Sequence, residues 1–175
     1  LSGDNTLSCA GCHLKSSAFS DPNQFSIGIN NLPGLRNASA IINTGWHTKF
    51  NWDGSANSLE EQAFEPVTNP KEMNDTWDNI EIKLNTHSEY PQLFKNAFNI
   101  NYIDSIHVVK ALAQFERTLI SAGNSRYDQY IRNEIQLTPS ELNGFAIFNT
   151  EKGDCFHCHG TDMFMDNLFH NNALD

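Results

Sequence analysis

Two short stretches, Cys9-Ala-Gly-Cys12-His13 and Cys155-Phe-His-Cys158-His159, decide how this chain of 175 residues folds. They use all four cysteines, and a histidine directly follows each pair. Two disulfides or a zinc site could also use paired cysteines. Neither needs that histidine, whereas covalent haem attachment does, because the thiols bind the porphyrin and the imidazole binds its iron. The pattern therefore predicts two covalently bound haem c groups, one on Cys9, Cys12 and His13 and one on Cys155, Cys158 and His159.

The haem motifs also indicate the compartment. Bacteria attach haem in this way outside the cytoplasm, so we expect a periplasmic protein. The chain opens at Leu1 with a polar, turn-like stretch, which we interpret as a processed or trimmed start. It contains no run of about 18 apolar residues, which predicts that no segment spans a membrane.

The composition is that of a globular protein with an acidic surface. Hydrophobic residues make up 39% of the chain and charged residues 18%, and the formal net charge at pH 7 is −10. Nucleic acid is disfavoured as a partner because phosphate binding requires a basic face. The negative charge instead favours a basic protein partner.

Residue patterns predict an all-α chain. Residues 1–45 are rich in Ser, Asn, Gly and Pro and are predicted to form loops around a cofactor. Capping residues, prolines and apolar spacing predict helices over residues 59–65, 76–85, 90–98, 105–121 and 139–149. Pro66 is expected to end the first of these helices. The fourth has a predicted apolar stripe of Ile106, Val109, Leu112, Phe115 and Leu119.

A domain boundary is predicted near Gln136. The polar segment before it separates the longest predicted helix from the last one. Residues 1–136 then form a domain around the first haem, and residues 137–175 begin a second haem domain. Because so few residues follow His159, we expect this second domain to be truncated at its C-terminus.

From Cys9 to its end, the chain resembles the bacterial di-haem cytochrome c peroxidases. The resemblance is carried, in family order, by Ser8-Cys-Ala-Gly-Cys-His13, Ser26-Ile-Gly28, Arg36-Asn37, Phe50-Asn-Trp-Asp-Gly54, Ser58-Leu-Glu-Glu-Gln62, Pro66-Val-Thr-Asn-Pro-Lys-Glu-Met73, Phe115-Glu-Arg117 and Cys155-Phe-His-Cys-His159. It implies two cytochrome c-like haem domains. The N-terminal haem would be the low-potential, peroxidatic site where hydrogen peroxide reacts. The C-terminal haem would be the high-potential site that receives electrons from a small cytochrome c or copper protein.

The resemblance also implies roles for four further residues. Glu72 matches the distal acid that moves a proton between the peroxide oxygens, and Gln62 matches the glutamine that assists it. Trp52 matches an electron-bridging tryptophan between the haems, although packing also explains a tryptophan. Asn37 matches a calcium ligand, through its backbone or side-chain carbonyl. Without the resemblance, Glu72 and Gln62 would be interpreted as ordinary surface residues.

The chain departs from the family at residue 29. Many members carry there a histidine that blocks the first iron until reduction moves it away. Ile29 has an alkyl side chain that cannot bind iron, so we predict a first haem that is open without reductive activation. His47 is the competing ligand, unless it is a hydrogen-bonded loop histidine.

The second haem should have a sixth ligand. Met163 and Met165 follow His159 too closely to reach the far face of the porphyrin with ease, so we expect this ligand to lie beyond Asp175. His157 lies inside the attachment loop and is expected to point away from the iron. The remaining histidines, expected to face solvent or the core, are His87, His107 and His170.

Three functions remain open at this point. The resemblance favours peroxide reduction to water. A di-haem oxidase of the methylamine-utilisation type, which oxidises a protein substrate from an open haem, gains weight from Ile29. A plain electron-carrying di-haem cytochrome is the third, although a carrier has no use for a distal acid such as Glu72. A homodimer is one assembly that the sequence leaves open.

Overall fold

The computed structural model describes residues 1–171, and this part of the chain is helical. Its α-helices are α1 Leu59–Gln62, α2 Phe64–Thr68, α3 Trp77–Asn85, α4 Tyr90–Phe98, α5 Ser105–Thr118, α6 Arg126–Ile131, α7 Pro139–Phe148 and α8 Phe156–His159. Short 3-10 turns precede α1, at Cys9–Gly11, Lys15–Ser17, Ile29–Asn31 and Thr44–Trp46. Only isolated bridges occur between extended residues here. The all-α prediction is confirmed. No helix within residues 1–171 is long and apolar enough to cross a membrane.

Three helices begin where the sequence predicts them. α3 follows the hydroxyl cap of Thr76, and α4 has Pro91 in its first turn. α7 begins at Pro139 behind a capping box formed by Thr138 and Glu141. The threonine caps accept hydrogen bonds from backbone N–H groups that have no partner at the start of a helix. A proline in the first turn has no such N–H group.

The prediction that Pro66 ends the first helix is wrong. The helical run is interrupted at Ala63, and Pro66 lies in the first turn of α2. A proline is tolerated there because its missing N–H would have had no partner within the helix.

Helix α5 confirms its predicted cap and part of its predicted stripe, since Val109 is buried and Leu112 packs against a buried cluster. Asp104 accepts the first-turn hydrogen bond as expected, and the helix ends at Thr118. Its buried residues are Val108, Val109 and Ala113, while Ile106 and Phe115 are about half exposed. The rest of the buried face differs from the prediction because α5 packs against α1, α3 and the turn at Thr44–Trp46. Several packing partners together determine which of its residues are buried.

The chain forms two compact units, Leu1–Ile120 and a second that begins at Ser121. The second unit includes α6, a helix that the sequence did not predict. Tyr127 and Tyr130 of α6 contact Phe145 of α7, with ring centroids 6.0 and 6.1 Å apart. The predicted domain boundary near Gln136 stays a prediction.

The core of the first unit lies behind the turn that carries Glu72. Two buried clusters form this core: Val67, Met73 and Ile80, and Phe94, Ile103 and Val108. Trp77 packs against both clusters. Because Met73 directly follows Glu72 and is 8% exposed, the core fixes the backbone on one side of the Glu72 carboxyl.

Backbone contacts hold the same turn from the loop side. Ile29 N donates to Glu72 O and Gly3 N donates to Met73 O, each at 2.9 Å. Gly28 approaches so closely that a Cβ on it would lie 1.9 Å from Lys71 O. The early loop therefore forms a cradle around the Glu72 turn.

Glu116 is a partly buried carboxyl in the last turn of α5. Burial raises the pKa of Glu116 from 4.5 to about 7. The positive charge of Arg117 lowers this pKa, and the negative charge of Glu60 raises it further. The folded state therefore binds this proton more tightly than the unfolded state. Stability should be lost as the pH rises through the interval between these two values.

Replacing Gly28 by alanine should destabilise the protein. The new Cβ would meet the backbone atoms Lys71 O, Lys71 C and Glu72 Cα within 3 Å, and backbone cannot swing aside as a side chain can. We expect the free energy of unfolding in urea to fall by about 1–3 kcal/mol. Gly34→Ala is the control because its nearest contacts would lie at an ordinary 3.5 Å. Equal stability of the two variants would contradict the close contact between Gly28 and the backbone of the Glu72 turn.

Replacing Glu116 by glutamine should flatten the pH dependence of stability. The parent protein loses stability between about pH 4.5 and pH 7 as the buried carboxyl ionises, and glutamine cannot ionise. Between pH 5 and pH 8 the variant should lose less free energy of unfolding than the parent, by at most about 3 kcal/mol. Glu151→Gln, at a side chain that is 82% exposed, is the control. Identical pH profiles for the parent and Glu116→Gln would refute this assignment.

Candidate active site and haem-attachment motifs

The first motif forms a single helical turn that orients its histidine. Cys9 O accepts hydrogen bonds from Cys12 N at 3.2 Å and from His13 N at 2.9 Å. His13 Nδ1 lies 3.0 Å from Phe19 O. Because a carbonyl oxygen can only accept, Nδ1 must carry the proton, and Nε2 keeps the lone pair that an iron ligand needs.

The second motif repeats this geometry independently. Cys155 O accepts from Cys158 N at 3.3 Å and from His159 N at 3.0 Å. His159 Nδ1 lies 2.6 Å from Phe164 O, which again leaves Nε2 available. Phe19 and Phe164 both have left-handed backbone conformations, with φ of 58° and 55°. At both motifs, therefore, the carbonyl of a phenylalanine in the left-handed conformation orients the histidine.

The surroundings of the second motif include a possible metal-binding group and an aromatic cleft. All four cysteines are free. Within residues 1–171, the side-chain groups that could hold a metal ion include one motif cysteine, Cys158, with Asp166 and His170, and none includes both cysteines of a pair. An open, mainly apolar cleft of about 320 Å³ also lies in the second unit and is lined by aromatic residues that include Tyr127, Phe145, Phe148 and Phe164. Phe164 belongs both to this cleft and to the anchor of His159.

Glu72 is a half-buried carboxyl close to the first motif. Asn69 Nδ2 donates to Glu72 Oε1 at 2.7 Å, and Glu72 N donates back to Asn69 O at 3.0 Å. Burial raises the pKa of Glu72 above its usual value, against the hydrogen bond from Asn69, which lowers it. The charge of His13 also lowers this pKa. The Cys12 thiol is partly buried, and this burial raises its pKa, with a smaller contribution from the negative charge of Glu72. Glu72 therefore lies within electrostatic range of Cys12 and His13.

Gln62 lies at the end of α1 and is partly buried. Its backbone N donates to Ser58 O at 3.0 Å. Among the hydrogen bonds of residues 1–171, none joins its amide to Glu72. The predicted partnership of Gln62 and Glu72 in proton transfer stays a prediction.

Trp52 and Asn37 are joined to each other. Trp52 Nε1 donates to Asn37 O at 2.9 Å, and the indole is 57% exposed. The bridging and packing roles of Trp52 stay predictions. Asn37 Nδ2 donates to Asp21 O at 2.8 Å and to Asn23 O at 2.6 Å, which ties Asn37 to the loop that follows Phe19. Calcium binding by Asn37 stays a prediction.

Ile29 is buried, with 5% of its surface exposed, and lies against the Glu72 turn through its backbone N. His47 is an exposed loop residue whose ring stacks on Phe50 with centroids 6.3 Å apart. Partial desolvation lowers the pKa of His47. In the second motif, His157 Nδ1 is paired with Asp154. The predicted open first iron and the sixth ligand of the second haem stay predictions.

The sequence reasoning missed the carbonyl anchors and one ion pair. Each haem motif is followed by Phe-x-Asp, at Phe19 and Asp21 and again at Phe164 and Asp166. Both aspartates accept a hydrogen bond at 2.9 Å from the backbone N two residues later, so the repeat marks the same turn. This shared pattern could have predicted the anchors. The ion pair of Glu60 and Arg117 has no comparable signal, because 57 positions separate its members.

Comparison with known proteins places this geometry in a family. The family model of di-haem cytochrome c peroxidases matches residues 1–136. The methylamine utilization protein MauG of Methylorubrum extorquens is 39% identical over 99% of this chain and 49% of its own length. The cytochrome c peroxidase Ccp of Escherichia coli is 34% identical over 91% of this chain and 34% of its own length.

Solved structures agree with the sequence comparison. A crystal structure of a MauG-like protein associated with microbial copper homeostasis superposes with a TM-score of 0.85 and 32% identity. It matches 97% of this chain and 52% of its own. The chain thus spans about half the length, or less, of these relatives. The family model covers well over half of the sequence: the chain belongs to the di-haem cytochrome c peroxidase family.

Proposed function

We propose that the protein is a periplasmic peroxidase that reduces hydrogen peroxide to water with two covalently bound haem c groups. The observation that carries this proposal is Glu72, a half-buried carboxyl with a raised pKa held close to Cys12 and His13. Reduction of one peroxide to two waters consumes two electrons and two protons. A haem bound at the first motif would supply the iron at which peroxide binds and is reduced.

Side chains of the protein would transfer the proton between the two peroxide oxygens. Burial raises the pKa of Glu72, so its carboxylate accepts a proton more readily than that of an exposed glutamate. Asn69 holds Oε1, so Oε2 is the oxygen left to exchange a proton with peroxide. The carboxyl can take the proton from one peroxide oxygen and return it to the departing oxygen, with the Gln62 amide as a further hydrogen-bonding group.

Electrons would arrive from a small cytochrome c or copper protein at the second motif and pass to the first. Trp52 is the candidate bridge, since its indole is fixed by Asn37 O and more than half exposed. Asn37 is also the candidate calcium ligand. Its Nδ2 donates to two backbone carbonyls and its backbone O accepts from Trp52, so the side-chain Oδ1 is the oxygen that would bind calcium.

A di-haem oxidase acting on a protein substrate is the second candidate. Two observations favour it: the 39% identity to a methylamine utilization protein, and a buried Ile29 where a blocking histidine is common. The carrier hypothesis is weaker, because a half-buried carboxyl beside the motif costs free energy that electron transfer alone does not require.

Replacing Glu72 by glutamine tests the peroxidase. Glutamine keeps the size of the side chain and its contact with Asn69 but cannot move a proton. We expect steady-state peroxide turnover with a reduced cytochrome donor to fall by about 10²–10⁴-fold. Glu89→Gln, an exposed position before α4, is the matched control and should leave turnover unchanged. Unchanged turnover in Glu72→Gln would remove the acid from the mechanism, and absent turnover in the parent would favour the oxidase.

A further inference from the structure

Helix α1, which carries Gln62, is only four residues long. A helix this short has no stability of its own in water, so contacts with the rest of the unit must set its orientation. Leu59, 3% exposed, anchors its first residue, and the helix packs on α5. Leu59 and the buried C-cap residue Ala63 fix the two ends of the helix but restrain its rotation about its own axis less tightly.

A bidentate ion pair between Arg117 and Glu60 restrains the rotation of α1. Arg117 Nη1 and Nη2 donate to Glu60 Oε1 and Oε2 at 2.8 and 3.0 Å. Two parallel bonds between planar groups define orientation as well as distance. The hydrogen bonds from Arg117 lower the pKa of Glu60 and those to Glu60 raise the pKa of Arg117, so both stay ionised near neutral pH.

The α5 side of this contact is held independently. Leu119 O, just after α5, accepts a hydrogen bond from Asn43 N at 2.8 Å. The Arg117 Cγ atom lies 3.8 Å from where a Cβ on Gly45 would be, so its aliphatic stem runs along the turn at Thr44–Trp46. The guanidinium therefore projects toward α1 from a fixed base.

We infer that Glu60 and Arg117 are positioning residues for the proposed reaction. Their ion pair fixes the orientation of α1 on α5, and with it the direction in which the Gln62 amide, two residues after Glu60, extends toward the proposed peroxide site. Neither residue touches peroxide, and both act through Gln62. The inference rests on the proposed function, because it assumes that Gln62 assists peroxide reduction.

A double-mutant cycle on the haem-loaded protein tests it. Lysine at position 117 keeps the charge but cannot form both bonds. We expect Arg117→Lys to lower kcat for peroxide about tenfold with an unchanged KM for the donor. In a Gln62→Ala background, the same change should cause no further loss. Glu60→Gln, which keeps the side-chain shape, should show the same dependence and replaces Arg117→Lys if that variant does not fold.

The outcomes separate this inference from the function itself. Arg132→Lys is the control, since it breaks a bidentate pair with Glu134 at 2.7 and 2.9 Å in the second unit, and it should leave kcat unchanged. Additive losses in the double variant, or normal kcat in both Arg117→Lys and Glu60→Gln, overturn the inference and leave the peroxidase standing. Normal turnover of Gln62→Ala overturns both the role of Gln62 and this inference, while Glu72→Gln still tests the function separately.

Discussion

A hydrogen bond from the histidine ring to a strained backbone carbonyl fixes the tautomer and orientation of the histidine that follows each cysteine pair. At His13 and His159 it fixes the proton on Nδ1 and leaves Nε2 as the available ligand atom. The carbonyls belong to Phe19 and Phe164, whose left-handed conformations cost about 1–2 kcal/mol each for an L-residue. Such strain persists only where the surrounding structure requires it. Its occurrence at both motifs indicates that the orientation of the ring is what the loops are built to provide.

The first unit combines this anchor with a carboxyl held by backbone contacts. The Glu72 turn is fixed by Ile29 N and by the core residue Met73, so that the carboxyl stays half-buried although its neighbours are loops. Burial raises its pKa, and the carboxyl lies within electrostatic range of His13. Loops thus line the site, while helices α3 to α5 supply the rigid core behind it.

How much could be predicted depended on whether the signal was local. The haem motifs, the caps at Thr76 and Thr138, and the absence of strands within residues 1–171 follow from neighbouring residues. The buried face of α5 was predicted only in part, because α5 packs on three partners that apolar spacing does not identify. Contacts between distant residues, such as the one that joins Arg117 to Glu60, leave no trace in spacing. The nearness of Glu72 to His13 came from the family resemblance, not from composition.

Covalent haem at both cysteine pairs is the claim on which the whole account depends. Mass spectrometry of the intact protein and of its proteolytic peptides, after periplasmic expression with haem-attachment machinery, tests it most directly. The account predicts one haem on the peptide that contains residues 9–13 and one on the peptide that contains residues 155–159. An unmodified polypeptide, a cystine within either pair or bound zinc in place of iron would contradict it.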